Sequence, residues 1–217
     1  MNPWADTIAV SLVMTGFLLL GSSRISACIR FVALQGILLA LLTVAAPDAT
    51  VSSATVILVL TTAAVKGFLL PWLLLRALRD ADVRREVDPL ISYNLSIIAG
   101  AVIFGVSLWL SGRLPLPGQP PAYLLVPSAI FTSFTGLFLL VSRRTALTQV
   151  IGYLALENGI YEFGASVVQG TSMLVELGVL LDLLVAGFVM GITIFHINRQ
   201  FDHIDTDRLT SLNDWLR

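Results

Sequence analysis

The chain has 217 residues, of which 56% are hydrophobic and 12% charged, with a mean hydropathy of +0.87 and a formal net charge of −1. Soluble domains carry about 25% charged residues, so this composition predicts an integral membrane protein and excludes the basic surface of a nucleic-acid-binding protein. A single cysteine, Cys28, and two histidines, His196 and His203, exclude a disulfide framework and leave too few ligands for a metal site of the chain's own.

Apolar runs near the roughly 20 residues that cross a bilayer predict an all-α protein with seven transmembrane helices. The runs lie at Trp4–Ser22, Ile25–Ala46, Val51–Leu75, Leu90–Ser111, Leu124–Ser142, Thr145–Val168 and Ser172–Ile197. The first run lacks a basic leader and a small-residue cleavage site, so we expect it to be retained as a helix. Beyond the seventh run, Leu209, Leu212 and Leu216 at helical spacing predict a short amphipathic tail that lies on the membrane or docks on a partner.

The arginines test this topology independently, because short cytoplasmic loops collect Lys and Arg. All arginines except Arg113 fall at the first, third and fifth loops or after the seventh helix. The distribution predicts an N-terminus outside the membrane and a C-terminus in the cytoplasm. A count of six helices would scatter the arginines over both faces.

A short internal similarity relates two parts of the chain. Phe31-Val-Ala-Leu-Gln-Gly36 and Tyr153-Leu-Ala-Leu-Glu-Asn158 each follow an arginine-bearing loop. The similarity predicts a parallel repeat, in which helices 1 to 3 correspond to helices 5 to 7 and helix 4 joins them; chance likeness between apolar segments is the alternative. The predicted divisions are a first half at 1–89, a connector at 90–123, a second half at 124–197 and the tail at 198–217.

Four ionisable residues inside predicted helices are the candidates for proton transfer, namely Lys66, Glu157, Glu176 and Asp182. A charge at the bilayer centre costs about 2.5 to 3.5 kcal/mol on insertion scales, so such a residue usually has a function or a partner. Glu157 and Asp182 lie near mid-helix, where a buried carboxyl group can take up and release protons. Glu176 is either a second relay position or a headgroup contact, and the structural alternative is that the acids only hold helices together.

Lys66 is the one lysine of the chain, and it lies inside helix 3 rather than in a loop. Pro71 frees the carbonyl group of Gly67, so we expect the helix to be loosened beside Lys66. Lys66 would either transfer protons or form an ion pair with Glu157 or Asp182. These three residues lie near one predicted depth, which suits lateral transfer in the membrane plane, whereas Glu162 is expected at a solvated or interfacial position.

Several of these segments together resemble the formate hydrogenlyase / hydrogenase-4 component E family. The resemblance covers nearly the whole chain, and its motifs are Gly152-Tyr-Leu-Ala-Leu-Glu-Asn-Gly159, Glu176-Leu-Gly-Val-Leu-Leu-Asp182, Val65-Lys-Gly-Phe-Leu-Leu-Pro71 and Leu209-Thr-Ser-Leu-Asn213. Helices 5 to 7 are also similar to the K subunit of respiratory complex I and the C subunit of Mrp-type sodium/proton antiporters. Glu157 and Asp182 match the intramembrane glutamates of the K-type second and third helices, whereas Gln35 and Lys66 stand where the repeat would place acids.

The resemblance implies a non-catalytic membrane subunit of a complex-I-like energy-converting complex in a bacterial or archaeal plasma membrane. Its partners would be antiporter-like membrane subunits and a peripheral arm that carries iron–sulfur clusters and a nickel–iron centre, with no cofactor in this chain itself. Two alternatives are a stand-alone or Mrp-type cation/proton antiporter subunit and a structural membrane anchor.

Overall fold

The regular elements of the chain are helices throughout the part that the computed structural model describes, residues 3–45, 53–80, 90–115 and 122–167. They are α1 (Pro3–Gly21), α2 (Ile25–Ala45), α3a (Ser53–Ala64), a π-helical turn (Val65–Leu69), α3b (Leu70–Asp80), α4 (Tyr93–Ser111), α5 (Leu125–Ser142) and α6 (Ala146–Val167). Each of the first six predicted helices therefore has a counterpart. The predicted seventh helix and the tail lie outside the described residues.

Five of these helical stretches are long and apolar enough to cross a membrane: Trp4–Gly21, Ile25–Leu42, Val59–Arg79, Tyr93–Ser111 and Leu125–Ser142. Helix α6 has 22 residues and carries Glu157 and Glu162, and at 1.5 Å per residue it is about 33 Å long. Because α6 packs antiparallel against α5, it crosses the same depth. The chain is a helical membrane protein.

Glycines set how closely α5 and α6 approach each other. A Cβ atom added at Gly136 of α5 would collide with the backbone of Leu156, and one added at Gly159 of α6 would collide with the backbone of Ser133. Small residues at such crossings let two backbones come into direct contact. The glycines thereby hold α5 and α6 in one register.

Helices α1 and α5 run in the same direction. At one end of the bundle the backbone N–H of Leu124 donates to Asp6 Oδ1 at 3.2 Å. At the other end Arg143 Nη2 donates to the carbonyl oxygen of Leu20 at 3.0 Å. The predicted parallel repeat requires this direction, although its division of the chain into halves stays a prediction. We refer below to the Asp6 end and the Arg143 end of the bundle.

Arg143 of the α5–α6 turn also contacts the segment in which α4 begins. Its Nη1 donates to the carbonyl oxygen of Ile91 at 3.5 Å, and its guanidinium group lies 4.5 Å from the ring centre of Tyr93. The α1–α2 turn, the start of α4 and the α5–α6 turn therefore meet at one end, as the arginine distribution predicts. Which face of the membrane this end occupies stays a prediction.

The third helix is longer than hydropathy indicates. The prediction ended it at Leu75, whereas α3b continues to Asp80, so that boundary is wrong. Arg76 lies 5.7 Å from the ring centre of Trp72, and Arg79 Nε donates to the carbonyl oxygen of Leu75 at 3.4 Å. Long basic side chains can extend a helix past its apolar zone, because their stems cover apolar surface while their charged groups reach outward.

Candidate proton-transfer site

A layer of polar side chains divides the apolar interior of the bundle. Two clusters of buried apolar residues fill the core, one toward each end. The first cluster includes Val32 of α2 and Ala155 of α6. The second cluster includes Leu39 of α2 and Tyr161 of α6. Gln35, Glu157 and Asn158 lie between them and are buried, as are Thr15 and Lys66. The polar layer therefore lies near the middle of the membrane-spanning bundle.

An ion pair between Lys66 and Glu157 is the centre of this layer. Lys66 Nζ donates to Glu157 Oε1, and the two residues are only 5% and 2% exposed. Taking either charge out of water alone costs several kcal/mol, on the order of what a buried ion pair regains from its mutual attraction. Each charge thus depends on the other to remain in the apolar interior.

The π turn presents Lys66 to α6. The N–H of Leu70 donates to the carbonyl oxygen of Val65, five residues back, so this turn holds one residue more than an α-helical turn. Pro71 follows directly and has no N–H group with which to continue an α-helical pattern from Gly67. The loosening that Pro71 predicts is present as this turn.

Close contact with α2 keeps the lysine backbone in place. A Cβ atom added at Gly36 would lie 2.6 Å from Lys66 Cβ, and one added at Gly67 would lie 2.8 Å from Ile37 Cγ1. Glycines on both sides of this crossing let α2 and the π turn approach closely. The lysine side chain consequently leaves the turn deep inside the bundle.

Hydrogen bonds extend the site from Lys66 to α1. Lys66 Nζ donates to Asn158 Oδ1 at 3.3 Å, and Asn158 Nδ2 donates to Gln35 Oε1 at 3.4 Å. Gln35 Nε2 donates to Thr15 Oγ1 at 3.1 Å, and Thr15 donates to the carbonyl oxygen of Leu12 at 2.7 Å. The chain of donors has one direction, away from the ammonium group, so it stabilises a positive charge on Lys66.

Glu157 has one carboxylate oxygen that can still accept a hydrogen bond. Its Oε2 is buried and accepts no hydrogen bond within the described ranges. Lys66 Nζ lies 5.5 Å from the ring centre of Tyr161, a cation–π distance. A cavity of about 10 Å³ borders Lys66, Asn158 and Pro71, a volume that holds about one water molecule. The carboxylate of Glu157 therefore has one oxygen with room for a further hydrogen-bond donor.

The described residues include two of the four predicted proton-transfer residues, Lys66 and Glu157. The structure brings Lys66 and Glu157 together as an ion pair, one of the two pairings named as the alternative to proton transfer by Lys66, and the proton-transfer role of both residues stays a prediction. Asp182 and Glu176 lie outside the described residues. The expectation for Glu162 is wrong, because its side chain is fully buried against α5 rather than solvated.

Sequence reasoning missed three members of the site. Asn158 adjoins Glu157 in the quoted motif, and Gln35 aligns with Glu157 in the internal similarity, so both carried a signal. Thr15 carried none, because a threonine in an apolar helix commonly bonds to its own backbone.

In the part of the chain that the structure describes, no three His, Cys, Asp or Glu side chains are grouped so as to hold a metal ion.

Comparison with known proteins places the chain among relatives. The uncharacterized protein Rv0085 of Mycobacterium tuberculosis is 30% identical to it over 214 residues, which are 96% of each chain. The chain belongs to the same family as Rv0085. The match with Rv0085 runs almost end to end and so includes the whole of the polar layer.

A more distant similarity links the chain to a named component. Hydrogenase-4 component E of Escherichia coli K12 is 27% identical over 150 residues, which are 68% of each chain, and that of Shigella flexneri matches equally. No family model and no solved structure matches the chain.

Proposed function

We propose that this chain is a membrane subunit of a complex-I-like energy-converting complex of the hydrogenase-4 type. In this proposal it has no active site of its own and contributes buried charged groups to redox-coupled proton translocation in a bacterial or archaeal plasma membrane. The similarity to hydrogenase-4 component E supports the kind of complex. The buried ion pair of Lys66 and Glu157 is the observation that supports the role.

The ion pair suits coupling because its two states differ in charge distribution. Moving one proton from Lys66 to Glu157 turns two buried charges into two neutral groups, and a change of field or hydration at the site shifts that balance. Asn158 and Gln35 favour the charged state through their hydrogen bonds. The neighbouring cavity supplies a place where water can exchange a proton with the lysine.

The proposed route runs laterally from this pair. Asp182 and Glu176 belong to the predicted seventh helix and would carry the proton onward, Asp182 at the same depth and Glu176 nearer the outer face. The partners would be antiporter-like membrane subunits and peripheral redox proteins. Iron–sulfur clusters and a nickel–iron centre would reside in those partners.

Native co-purification tests the assignment to a complex. The tagged chain is extracted from its own membranes in mild detergent, and the proteins that remain attached are identified by mass spectrometry. Recovery of antiporter-like subunits together with iron–sulfur proteins supports the proposal and identifies the electron donor. Recovery of the folded chain alone, with sodium or proton counterflow after reconstitution in liposomes, would instead establish the antiporter alternative.

Three variants test the role of the ion pair. Lys66→Met and Glu157→Gln each leave one buried charge unpaired, whereas the double variant removes both charges with side chains of similar volume. We expect the double variant to assemble into the complex but to translocate fewer protons per electron in inside-out membrane vesicles. Asp6→Asn is the matched control, because the amide oxygen can still accept from Leu124, and its coupling should equal that of the wild type.

The same variants separate coupling from anchoring. If the chain is only a structural anchor, the single variants should lose assembly, and the double variant should recover both assembly and full proton-to-electron coupling. Full coupling in an assembled double variant would therefore refute the proposed role of the pair, even if the co-purified partners are those expected.

A further inference from the structure

Glu162 is a second buried carboxyl group that the Lys66–Glu157 site does not use. It follows Glu157 by five residues on α6, which corresponds to about 7.5 Å along the axis and about 140° around it. Its side chain lies against α5, where Ser128 is its hydrogen-bond partner, and both residues are 0% exposed. Glu162 therefore occupies a different depth and a different face of α6 from Glu157.

The hydrogen bonds around Ser128 indicate the protonation state of Glu162. Ser128 Oγ lies at hydrogen-bond distance both from Glu162 Oε1 and from the carbonyl oxygen of Leu125, the latter at 3.0 Å. A serine hydroxyl has one hydrogen to donate, and neither of these two partners has a hydrogen if Glu162 is ionised. Both contacts are satisfied when Glu162 is protonated and donates to Ser128, which in turn donates to Leu125.

The surroundings of Glu162 also disfavour a negative charge. No ion pair reaches Glu162 from the residues that the structure describes, and its Oε2 accepts no hydrogen bond there. The hydroxyl group of Thr132, one turn from Ser128 on α5, is buried beside the Glu162 carboxyl group, and like the hydroxyl group of Ser128 it carries no charge. An isolated carboxylate in an apolar interior usually takes up a proton instead of remaining charged.

Other ionisable side chains near this end of the bundle do not supply a counter-charge. Asp6 of α1 is itself acidic and accepts from the N–H of Leu124 at the start of α5. Tyr161 of α6 brings a phenol group, and the ammonium group over its ring belongs to Lys66, which is paired with Glu157. The described parts of α1, α5 and α6 thus bring no cation to Glu162.

We propose that Glu162 and Ser128 form a second proton-binding site. In this site the carboxyl group of Glu162 keeps its proton at neutral pH and donates a hydrogen bond to Ser128 Oγ. When the proton leaves to a water molecule, the Ser128 hydroxyl turns from the Leu125 carbonyl group to donate to the new carboxylate. The O–H bond of Glu162 is the bond that breaks, and the water becomes hydronium. The Ser128 hydroxyl therefore has two donor positions, one for each protonation state.

This site is separate from the Lys66–Glu157 pair, and its protonation does not depend on the complex to which the chain belongs. Infrared spectroscopy of the full chain in vesicles of native membrane lipid tests it directly. At neutral pH we expect Glu162→Gln to lose one carbonyl band of a protonated carboxyl group, a band that moves slightly in D₂O. Glu157→Gln should retain that band.

Ser128→Ala provides a test that does not remove the carboxyl group. Without its acceptor, Glu162 should show the same band at a higher frequency, because donation by a carboxyl O–H lowers the carbonyl frequency. Ser133→Ala is the matched control on α5, since its hydroxyl donates to the carbonyl oxygen of Ala129 at 2.8 Å within the helix, and it should leave the band in place.

Three outcomes would overturn the proposal. The first is loss of carboxylate bands, rather than a protonated carbonyl band, in Glu162→Gln. The second is an unchanged protonated-carboxyl region in Ser128→Ala, and the third is an equal shift in Ser133→Ala. If Glu162→Gln does not fold, the comparison of the two serine variants decides the question.

Discussion

Gly36 of α2 lies directly against Lys66 of the π turn, and a Cβ atom added at Gly36 would be 2.6 Å from Lys66 Cβ and 3.1 Å from its carbonyl carbon. No side-chain rotation relieves these contacts, because both atoms are fixed by the backbone of the turn. Gly36→Ala should therefore displace the turn and weaken the Lys66–Glu157 ion pair. We expect a loss of about 1 to 3 kcal/mol in the free energy of unfolding, the usual cost of overpacking.

Gly105→Ala is the matched control for this prediction. Gly105 also lies inside a membrane-spanning helix, but a Cβ atom added there meets nothing within 4 Å. The control should be as stable as the wild type or slightly more stable, because alanine favours a helix over glycine. Equal free energies of unfolding for the two variants in detergent micelles would contradict the packing of α2 against Lys66.

The hydrogen bond between Asn158 and Gln35 joins α6 to α2. Replacing one of these buried amides with an apolar side chain leaves the other without its partner, which costs about 1 to 3 kcal/mol. Asn158→Leu and Gln35→Met should each destabilise the chain, and the double variant should lose less than the sum of the two. The coupling energy should be about 0.5 to 1.5 kcal/mol, within the range of interhelical hydrogen bonds in membranes.

A double-mutant cycle on the free energy of unfolding measures that coupling. Asn158 also accepts from Lys66, so its single variant should be the more destabilised of the two. Strict additivity would mean that the Asn158–Gln35 hydrogen bond does not contribute to stability.

The sequence predicted the helices well because hydropathy and arginine placement act on whole segments. Helix α2 was predicted to start at Ile25, where it starts, and α5 was predicted to end at Ser142, where it ends. Hydropathy failed at Leu75, because it measures the apolar zone, whereas the helical hydrogen bonds continue to Asp80.

The candidate site was only partly predictable for a different reason. Charged residues are rare in apolar segments, so Lys66 and Glu157 can each be identified as candidate site residues from the sequence alone. The burial of Glu162 could not be inferred, because it depends on the register that Gly136 and Gly159 give to α5 and α6. The same contact places Ser128 beside Glu162. Nothing in the sequence distinguishes Ser128 from the other serines.

Arg143 at the membrane boundary should contribute to the stability of the fold in addition to its role in orienting the helices. It is 3% exposed, and its guanidinium group connects the backbones of Leu20 and Ile91 while lying over Tyr93. Lysine cannot reproduce that planar fork of donors. We expect Arg143→Lys to lose about 1 to 3 kcal/mol in the free energy of unfolding, because carbonyl groups that it serves lose a donor.

Arg144 is the control for Arg143, since it adjoins it in the same turn and is exposed. Arg144→Lys should change the free energy of unfolding by less than Arg143→Lys, because an exposed side chain can exchange its contacts for water. Neither substitution removes a positive charge, so cysteine-accessibility mapping should show the same topology for both variants. Equal destabilisation of the two variants would show that the Arg143 contacts do not hold the three segments together.

Gly159 controls the register on which the Glu162–Ser128 site depends. A Cβ atom added there would collide with the backbone N of Ser133 and lie 2.8 Å from its Cα, so only separation of α5 and α6 can relieve the contact. Gly159→Ala should lose about 1 to 3 kcal/mol in the free energy of unfolding, and Gly159→Val should lose more. Both should also move the infrared band of Glu162, because separated helices lengthen its bond to Ser128. A Gly159→Ala variant with wild-type stability and an unmoved band would show that this crossing is not the close backbone contact described above.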